Sequence, residues 1–288
     1  MAFLHVKFPS SWPGWRTPEC TLTPLLLTAH GDEEEEEEES TVLPAHDKPL
    51  TVSVDPKTNA DYYSDSPVFR AYFLRSSASA TCASAAASAS VAVALKFAMR
   101  DDLIDDLVRE ASVYTDVLGG LQGHVVPRCY GIYAGTMDDG QTVACLALEY
   151  WGECLRRPFD RLSVDLRCVY IVRTLPLNVH FFLSFYSANF SLQRLRILQQ
   201  LGEIHKRGLI HGDFAERNVL ERNGDIRIID FDQTSRHECR CRLTFRSGEA
   251  LLDDELFGCD QLWEVCRCRM HLYCLWTSLV LVWCCEFY

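Results

Sequence analysis

Residues 204–220 read IHKRGLIHGDFAERNVL, and residues 228–231 read IIDF. The two segments place a carboxylate at Asp213, an amide five residues later at Asn218 and a second carboxylate twelve residues beyond it at Asp230. Phosphoryl transfer from ATP uses such a set, because one carboxylate orients the acceptor hydroxyl while an amide and a second carboxylate hold magnesium on the phosphates. The order and spacing predict this chemistry. The alternative is that Asp213 caps a turn and Asp230 ends a strand.

The composition indicates a folded protein and argues against one that binds nucleic acid. The chain has 288 residues, enough for one domain with two lobes or for two small domains, and 48% of them are hydrophobic, which is ample for a packed core. A net charge of −12 argues against a nucleic-acid-binding protein, which needs a surplus of Lys and Arg. The run of glutamates at 33–39 supplies much of this charge. It predicts a solvated linker, with an acidic docking tail as the alternative.

The 14 cysteines are expected to be reduced thiols in a cytoplasmic or nuclear protein, because the first residues show no signal peptide. Cys239-Arg240-Cys241 and Cys266-Arg267-Cys268 invite a zinc interpretation. Their one-residue spacing is unlike that of structural zinc sites, and no His pair completes either motif along the chain, which argues against zinc.

The C-terminal segment 272–287 is mostly apolar but short for a bilayer span. We therefore expect a buried terminal helix or strand, with a membrane tail anchor as the minor alternative. This segment and residues 167–185 could also be foreign to the evolved domain, as in an imperfect gene model.

The pattern along the chain predicts three regions. Residues 1–66 are dense in proline and acidic, and are expected to be largely disordered; the Ser/Ala-rich segment 76–90 is expected to be a flexible loop. Residues 67–152 predict a β-rich small lobe with one helix, including a strand at 91–97, a helix that begins near Asp101 and a strand at 142–150. Residues 153–288 predict a mainly helical large lobe.

Two signals organise that last region. An apolar stripe predicts a helix from Ser191 that Gly208 stops, and Asn223-Gly224 predicts a tight turn between two strands of a catalytic hairpin.

These motifs resemble the catalytic and metal-binding loops of the protein-kinase-like fold, which implies an α+β fold of two lobes. The resemblance implies that Asp213 is the catalytic base, or the residue that orients the acceptor hydroxyl, and that Asn218 and Asp230 are ligands of Mg²⁺. Val93-Ala94-Leu95-Lys96 looks like the strand-lysine motif of protein kinases. By this resemblance Lys96 would bind the α- and β-phosphates of ATP, and Glu110 would be its ion-pair partner. Without the resemblance, Lys96 is a snorkelling strand-end lysine and Glu110 a solvated helix residue.

The segment Leu146-Ala147-Leu148-Glu149-Tyr150-Trp151-Gly152 looks like the hinge between kinase lobes. There, backbone groups around Glu149 and Trp151 would bind the adenine edge, so the side chains constrain little.

Several departures from the protein-kinase pattern alter the expectation. His211-Gly212-Asp213 replaces His-Arg-Asp, and the missing Arg argues against activation through a phosphorylated loop. The His-Gly-Asp form is similar to the loop of aminoglycoside and choline kinases. Asp230-Phe231-Asp232 replaces Asp-Phe-Gly, and no Ala-Pro-Glu follows. No Gly-x-Gly precedes Val91, although a glycine loop normally covers the phosphates. The chain after Asp230 is short for a complete large lobe, which predicts a truncated one.

A further resemblance is to divergent fungal protein-kinase-like proteins. It rests on five motifs: Glu110-Ala111 followed by Tyr114, residues 121–131, the His211-Gly212-Asp213 loop through Asn218, Asp230-Phe231-Asp232-Gln233 and Phe257-Gly258-Cys259-Asp260.

Three functional hypotheses follow. The first is an ATP- and Mg²⁺-dependent phosphotransferase that acts on protein Ser or Thr. The second is a kinase for a small-molecule acceptor, suggested by His-Gly-Asp. The third is a catalytically weak pseudokinase or scaffold, suggested by the missing glycine loop.

Overall fold

The structure, a computed structural model, describes residues 2–9, 17–27, 50–58, 64–74, 91–138, 140–162, 192–241 and 258–270. The glutamate run, the Ser/Ala segment 76–90, residues 167–185 and the C-terminal apolar segment lie outside the described residues. The chain divides into two compact units: the first holds residues 1–123 and 127–151, and the second holds 124–126 and 152–288.

The first unit is built on a closed barrel of seven strands. They are β1 (Leu4–Lys7), β2 (Glu19–Pro24), β3 (Leu50–Val54), β4 (Val68–Phe73), β5 (Ala92–Ala98), β6 (Cys129–Thr136) and β7 (Thr142–Glu149). The order around the barrel is β1-β2-β6-β7-β5-β4-β3, and a parallel pairing of β1 with β3 closes it. A β-rich unit matches the prediction, whereas closure into a barrel was not predicted.

The N-terminal leader contradicts the prediction of a largely disordered segment, because residues 1–66 supply three barrel strands. Alternate side chains point into the core, as at Leu4 and Val6 in β1 and at Val52 and Val54 in β3, each at most 2% exposed. Among the described prolines, Pro18 directly precedes β2 and Pro24 ends it, positions where the missing N–H costs little. Period-two alternation therefore outweighs proline density here.

One helix follows the fifth strand. Helix α1 spans Ile104–Ser112, with a 3-10 turn before it at Asp101–Leu103 and a π-helical turn after it at Val113–Val117. Leu107 and Ala111 of α1 and Tyr114 of the π-helical turn are buried, so a helix is present where one was predicted to begin near Asp101.

The second unit contains the segment 204–220, with Asp213 and Asn218. Its elements are β8 (Glu153–Cys154), α2 (Leu192–Lys206), β9 (Leu209–Ile210), β10 (Val219–Arg222), β11 (Asp225–Ile228), β12 (Ser235–Arg236) and α3 (Asp260–Glu264). Strands β11, β10 and β8 form one sheet, and β12 pairs with β9 in a second. The predicted helix is present as α2, and Gly208 follows it with a φ of +78°. Ser191 lies outside the described residues.

The predicted catalytic hairpin is also present. Strands β10 and β11 pair antiparallel, with Arg222 opposite Asp225. Asn223 and Gly224 between them both have positive φ, 53° and 83°, as a two-residue turn of the primed type requires.

Within the described part of the chain, no helix is long and apolar enough to cross a membrane.

The place of the leader in the core can be tested with two leucines of that leader. Leu22 is 1% exposed in β2, whereas Leu26 is 76% exposed just beyond it. We expect Leu22→Ala to lower the free energy of unfolding by about 2–5 kcal/mol, because it leaves a cavity in the barrel. Leu26→Ala should change it by no more than about 0.5 kcal/mol. Urea denaturation measures both, and equal effects would contradict the barrel assignment.

Candidate active site

The first unit holds the predicted ion pair. Lys96 lies on β5, a strand with neighbours on both sides, and Glu110 lies on the inward face of α1. The Nζ of Lys96 is 2.7 Å from Oε2 of Glu110, and the two side chains are 18% and 1% exposed. A buried carboxylate needs such a partner because an isolated charge is costly to bury. The pair therefore holds the ammonium group at a fixed place, while its role toward a nucleotide stays a prediction.

In the second unit, a short ladder positions the loop that contains Asp213. Strand β9 pairs with β12, with Leu209 opposite Arg236 and Ile210 opposite Ser235. Gly212, which follows β9, has a φ of +79° and packs its Cα against the backbone carbonyl of Gln233. A Cβ at this position would overlap that oxygen, so the Gly in His211-Gly212-Asp213 is a steric requirement of the fold.

His211 anchors the loop to the end of β11. Its Nε2 lies 2.9 Å from the carbonyl oxygen of Ile229, to which it donates, and its ring packs 5.1 Å from that of Phe231. Burial lowers the pKa of His211, so the imidazole is neutral at neutral pH. A neutral ring with the proton on Nε2 is suited to a structural role.

Asp213 and Asn218 lie together at the start of the hairpin. The Nδ2 of Asn218 donates to the backbone oxygen of Asp213 at 2.8 Å and to its carboxylate at 3.2 Å. Asn218 is 3% exposed and closes a 3-10 turn over Glu216–Asn218. Because its Nδ2 is engaged, the amide oxygen is the atom that could bind a cation.

Asp230 follows the hairpin in an unusual backbone conformation. Its φ is +72°, a region that non-Gly residues rarely adopt, and the N–H of the preceding Ile229 donates to the backbone oxygen of Asn218 at 3.0 Å. Phe231, next to it, is 1% exposed in the core. Strain of this kind persists only where the surroundings enforce it and is concentrated at functional sites. The turn thus brings the chain at Asp230 back beside Asn218.

Part of the segment predicted to be the hinge is already hydrogen-bonded to other residues of the first unit. The N–H of Glu149 donates to the backbone oxygen of Arg128 at 2.8 Å, and its carboxylate accepts from the N–H of Arg128 at 3.2 Å. Glu149 also ends β7, opposite Val93. Its amide is therefore engaged within the first unit, and the role of the backbone around Glu149 and Trp151 toward adenine stays a prediction.

One residue near the loop was missed from the sequence. The guanidinium of Arg217 contacts both carboxylate oxygens of Asp213, with a distance of 2.6 Å to Oδ1. The two residues are four apart, a spacing at which ion pairs are common in a turn or helix, and this was the available signal. Arg217 is 65% exposed, so the pair contributes little to stability.

Comparison with known families supports part of this interpretation. Residues 190–245 match the family model of the RIO domain, an atypical protein-kinase-like family. The matched segment contains Asp213, Asn218 and Asp230, whereas Lys96 and Glu110 lie outside it. No curated protein matches the chain significantly. A kinase-like domain in the second unit is thus supported by family similarity as well as by the loop geometry.

The steric role of Gly212 gives a test of the loop. Gly212→Ala should lower the free energy of unfolding by more than the roughly 1–2 kcal/mol of a left-handed Ala, because the new Cβ meets backbone. Gly224→Ala is the matched control in the same unit: its φ is +83°, but the added Cβ meets only the tip of the Arg196 side chain. Urea denaturation of both variants measures the difference. Equal losses of stability would show that the Gly212 turn is not packed against Gln233.

Proposed function

We propose that the protein is a phosphotransferase of the protein-kinase-like class that uses ATP and Mg²⁺. The observation that carries the proposal is the loop of the second unit, in which Asp213 and Asn218 are hydrogen-bonded and Asp230 follows in a left-handed conformation. This loop lies inside the segment that matches the RIO domain.

Asn218 and Asp230 are the proposed magnesium ligands. Mg²⁺ prefers oxygen ligands and is usually held by one or two protein groups together with phosphate oxygens and water. The amide oxygen of Asn218 and the carboxylate of Asp230 supply such a pair, and the hydrogen bond from Ile229 to Asn218 links their backbones. A bound cation would neutralise charge that develops on the transferred phosphoryl group.

Asp213 is the proposed partner of the acceptor hydroxyl. Its side chain is 26% exposed, so a hydroxyl group can reach it from solvent. Asn218 restrains the carboxylate from the buried side, while Arg217 contacts it from the exposed side. An arriving acceptor would displace the Arg217 contact at small cost, because the guanidinium is largely hydrated.

Lys96 and Glu110 of the first unit supply a fixed ammonium group, for which we propose a role on the α- and β-phosphates of ATP. The acceptor we propose is a Ser or Thr hydroxyl of a protein. A place among divergent fungal protein-kinase-like proteins is part of the same proposal, supported by the sequence motifs that begin at Glu110, Leu121, His211 and Phe257.

Two other functions have sequence support. His211-Gly212-Asp213 is similar to the loop of aminoglycoside and choline kinases, which favours a small-molecule acceptor. The absence of a Gly-x-Gly pattern before Val91 favours a weak enzyme or a scaffold.

The metal ligands can be tested by binding and by turnover. We expect Mg·ATP to raise the melting temperature of the full chain and Asp230→Asn to abolish the magnesium-dependent part of that rise. Asp213→Asn should keep the thermal shift but lower phosphate transfer or ATP hydrolysis about 10²- to 10⁴-fold, the usual contribution of a positioned base.

Asp225→Asn is the matched control, since it removes the same charge from an exposed position of the same hairpin. It should leave both measurements unchanged. If Mg·ATP gives no thermal shift with the unaltered chain, or if Asp230→Asn responds like Asp225→Asn, the enzyme proposal is wrong and the scaffold hypothesis gains.

The class of acceptor calls for a separate measurement. Incubation with γ-labelled ATP and either a mixture of proteins or a panel of sugars and amino alcohols should place label on protein Ser or Thr. The label should be lost in Asp213→Asn. Label on a small molecule and none on protein would favour the aminoglycoside- or choline-type alternative.

A further inference from the structure

The second unit contains a cluster of metal-binding side chains that the proposed phosphotransferase chemistry does not use. Two imidazoles and two thiols meet there, and their ligand atoms all lie within 4.8 Å of one another. The four residues are His205, His237, Cys239 and Cys259.

The cluster is assembled from three separate parts of the chain. His205 lies in the last turn of α2, His237 and Cys239 follow β12, and Cys259 directly precedes α3. The backbone of Cys259 begins that helix, since its carbonyl accepts from the N–H of Trp263 at 3.0 Å. Ligands contributed by three separate segments of the chain are typical of a structural metal site, which links those segments to one another.

Two glycines allow this convergence. The N–H of His237 donates to the carbonyl of Gly208 at 2.9 Å, which extends the β9–β12 pairing and brings His237 to the end of α2. Gly258 has a φ of +74°, and a Cβ there would lie 2.9 Å from the backbone oxygen of Arg240. This close approach brings Cys259 alongside Cys239. The position of Gly258 therefore needs a glycine, and the φ of +78° favours one at Gly208.

The distances suit a tetrahedral metal. The Sγ of Cys259 is 3.6 Å from Nδ1 of His205 and 3.4 Å from Nε2 of His237. Around a tetrahedral zinc ion, with Zn–S near 2.3 Å and Zn–N near 2.0 Å, neighbouring ligand atoms are about 3.3–3.8 Å apart. The rings of His205 and His237 meet edge to face, with centroids 5.2 Å apart, so neither blocks the other's nitrogen.

Burial is compatible with a structural metal. His205 and Cys259 are 3% and 5% exposed, so an ion bound between them would be shielded from solvent. Neutral imidazole and thiolate are the forms that bind zinc, so metal binding to a thiol would release a proton.

We propose that this cluster is a structural zinc site. Thiolate and imidazole are the ligands that zinc favours, whereas magnesium requires oxygen. Four protein ligands leave no open coordination position, so the ion would stabilise the fold and take no part in catalysis. It would fasten the end of α2, the segment after β12 and the start of α3 to one another.

The sequence argued against zinc for a reason that the structure corrects. The one-residue spacing within Cys239-Arg240-Cys241 is unlike that of structural zinc sites, and no His pair completes the motif along the chain. In the structure Cys239 instead joins Cys259 and two histidines, while Cys241 is not a member of the cluster. The statement that no His pair completes the motif is therefore wrong for Cys239.

The decisive experiment uses the full chain, purified without a metal-affinity tag and analysed for bound metals. We expect one equivalent of zinc per chain. Cys259→Ser and His237→Asn should bind zinc at least about tenfold more weakly, since even an outer-shell partner is worth 10–100-fold in affinity. Cys241→Ser and His124→Asn are the matched controls, one thiol from the same motif and one exposed histidine, and should retain the full equivalent.

Cobalt substitution tests the ligand set without any mutation. Co²⁺ added to the zinc-free chain should give the visible bands of a tetrahedral ion and a near-ultraviolet charge-transfer band from two thiolates. Cys239→Ser should halve that band. Removal of zinc by a chelator should lower the melting temperature of the unaltered chain, and zinc but not magnesium should restore it.

Three results would overturn the proposal. The first is a purified chain that binds no zinc and gives no tetrahedral cobalt spectrum. The second is equal loss of zinc in the control variants. The third is a Cys239–Cys259 disulfide found by non-reducing peptide mapping in the natively purified chain. None of these measurements involves ATP, so they are independent of the phosphotransferase proposal.

Discussion

The antiparallel pairing of residues 208–212 with residues 233–237 is the constraint on which the chemistry of the second unit depends. The pairing is only a two-residue ladder between β9 and β12, but close backbone contacts at Gly208 and Gly212 extend it at both ends. Each glycine has a positive φ that turns the chain out of the ladder. One turn leads back into α2, and the other leads into the loop of Asp213. Two short strands thus fix the start of the loop relative to the segment that follows Asp230.

Hydrogen bonds from two side chains, in addition to the ladder, hold the segments that contain Asp213 and Asp230 in place. The buried side chain of Asn218 donates to the carboxylate of Asp213. The buried side chain of His211 donates to the backbone oxygen of Ile229, the residue directly before Asp230. Each of the two predicted functional aspartates therefore lies beside a buried polar side chain. Buried polar groups are costly to leave without partners, so these two hydrogen bonds resist being broken, although the Nδ1 of His211 is buried without a hydrogen-bond partner among the described residues. In the first unit the same logic applies to Glu110, whose buried carboxylate fixes the ammonium of Lys96. In each unit, therefore, a buried partner fixes a charged side chain: Glu110 fixes Lys96, and Asn218 fixes Asp213.

Local signals in the sequence predicted the parts of this arrangement that are local in the chain. Helix α2 and the Asn223-Gly224 turn each depend on spacings of a few residues. The contact of Lys96 with Glu110 was predicted only from the resemblance to the protein-kinase-like fold. The leader was mispredicted because its strands are stabilised by distant partners, as where Leu4 pairs with Leu50. The His/Cys cluster was missed for the same reason, since its members come from three segments whose proximity no periodicity encodes. Arg217 was missed although its spacing from Asp213 was visible.

The ladder also relates the two proposed sites of the second unit. His237 pairs with Gly208 at one end of it, and Gln233 packs against Gly212 at the other. A zinc ion bound to His205 and His237 would clamp the first end, because both residues flank Gly208. Strands of two residues are too short to be stable alone, so the ladder needs support from outside its own hydrogen bonds. An ion at the Gly208 end would supply that support, and the position of Asp213 would then depend on a metal that never contacts the substrate. The two proposed sites would thus use metal in two ways. Oxygen ligands would bind a magnesium ion that arrives with the nucleotide, whereas sulfur and nitrogen ligands would bind a permanent structural zinc ion.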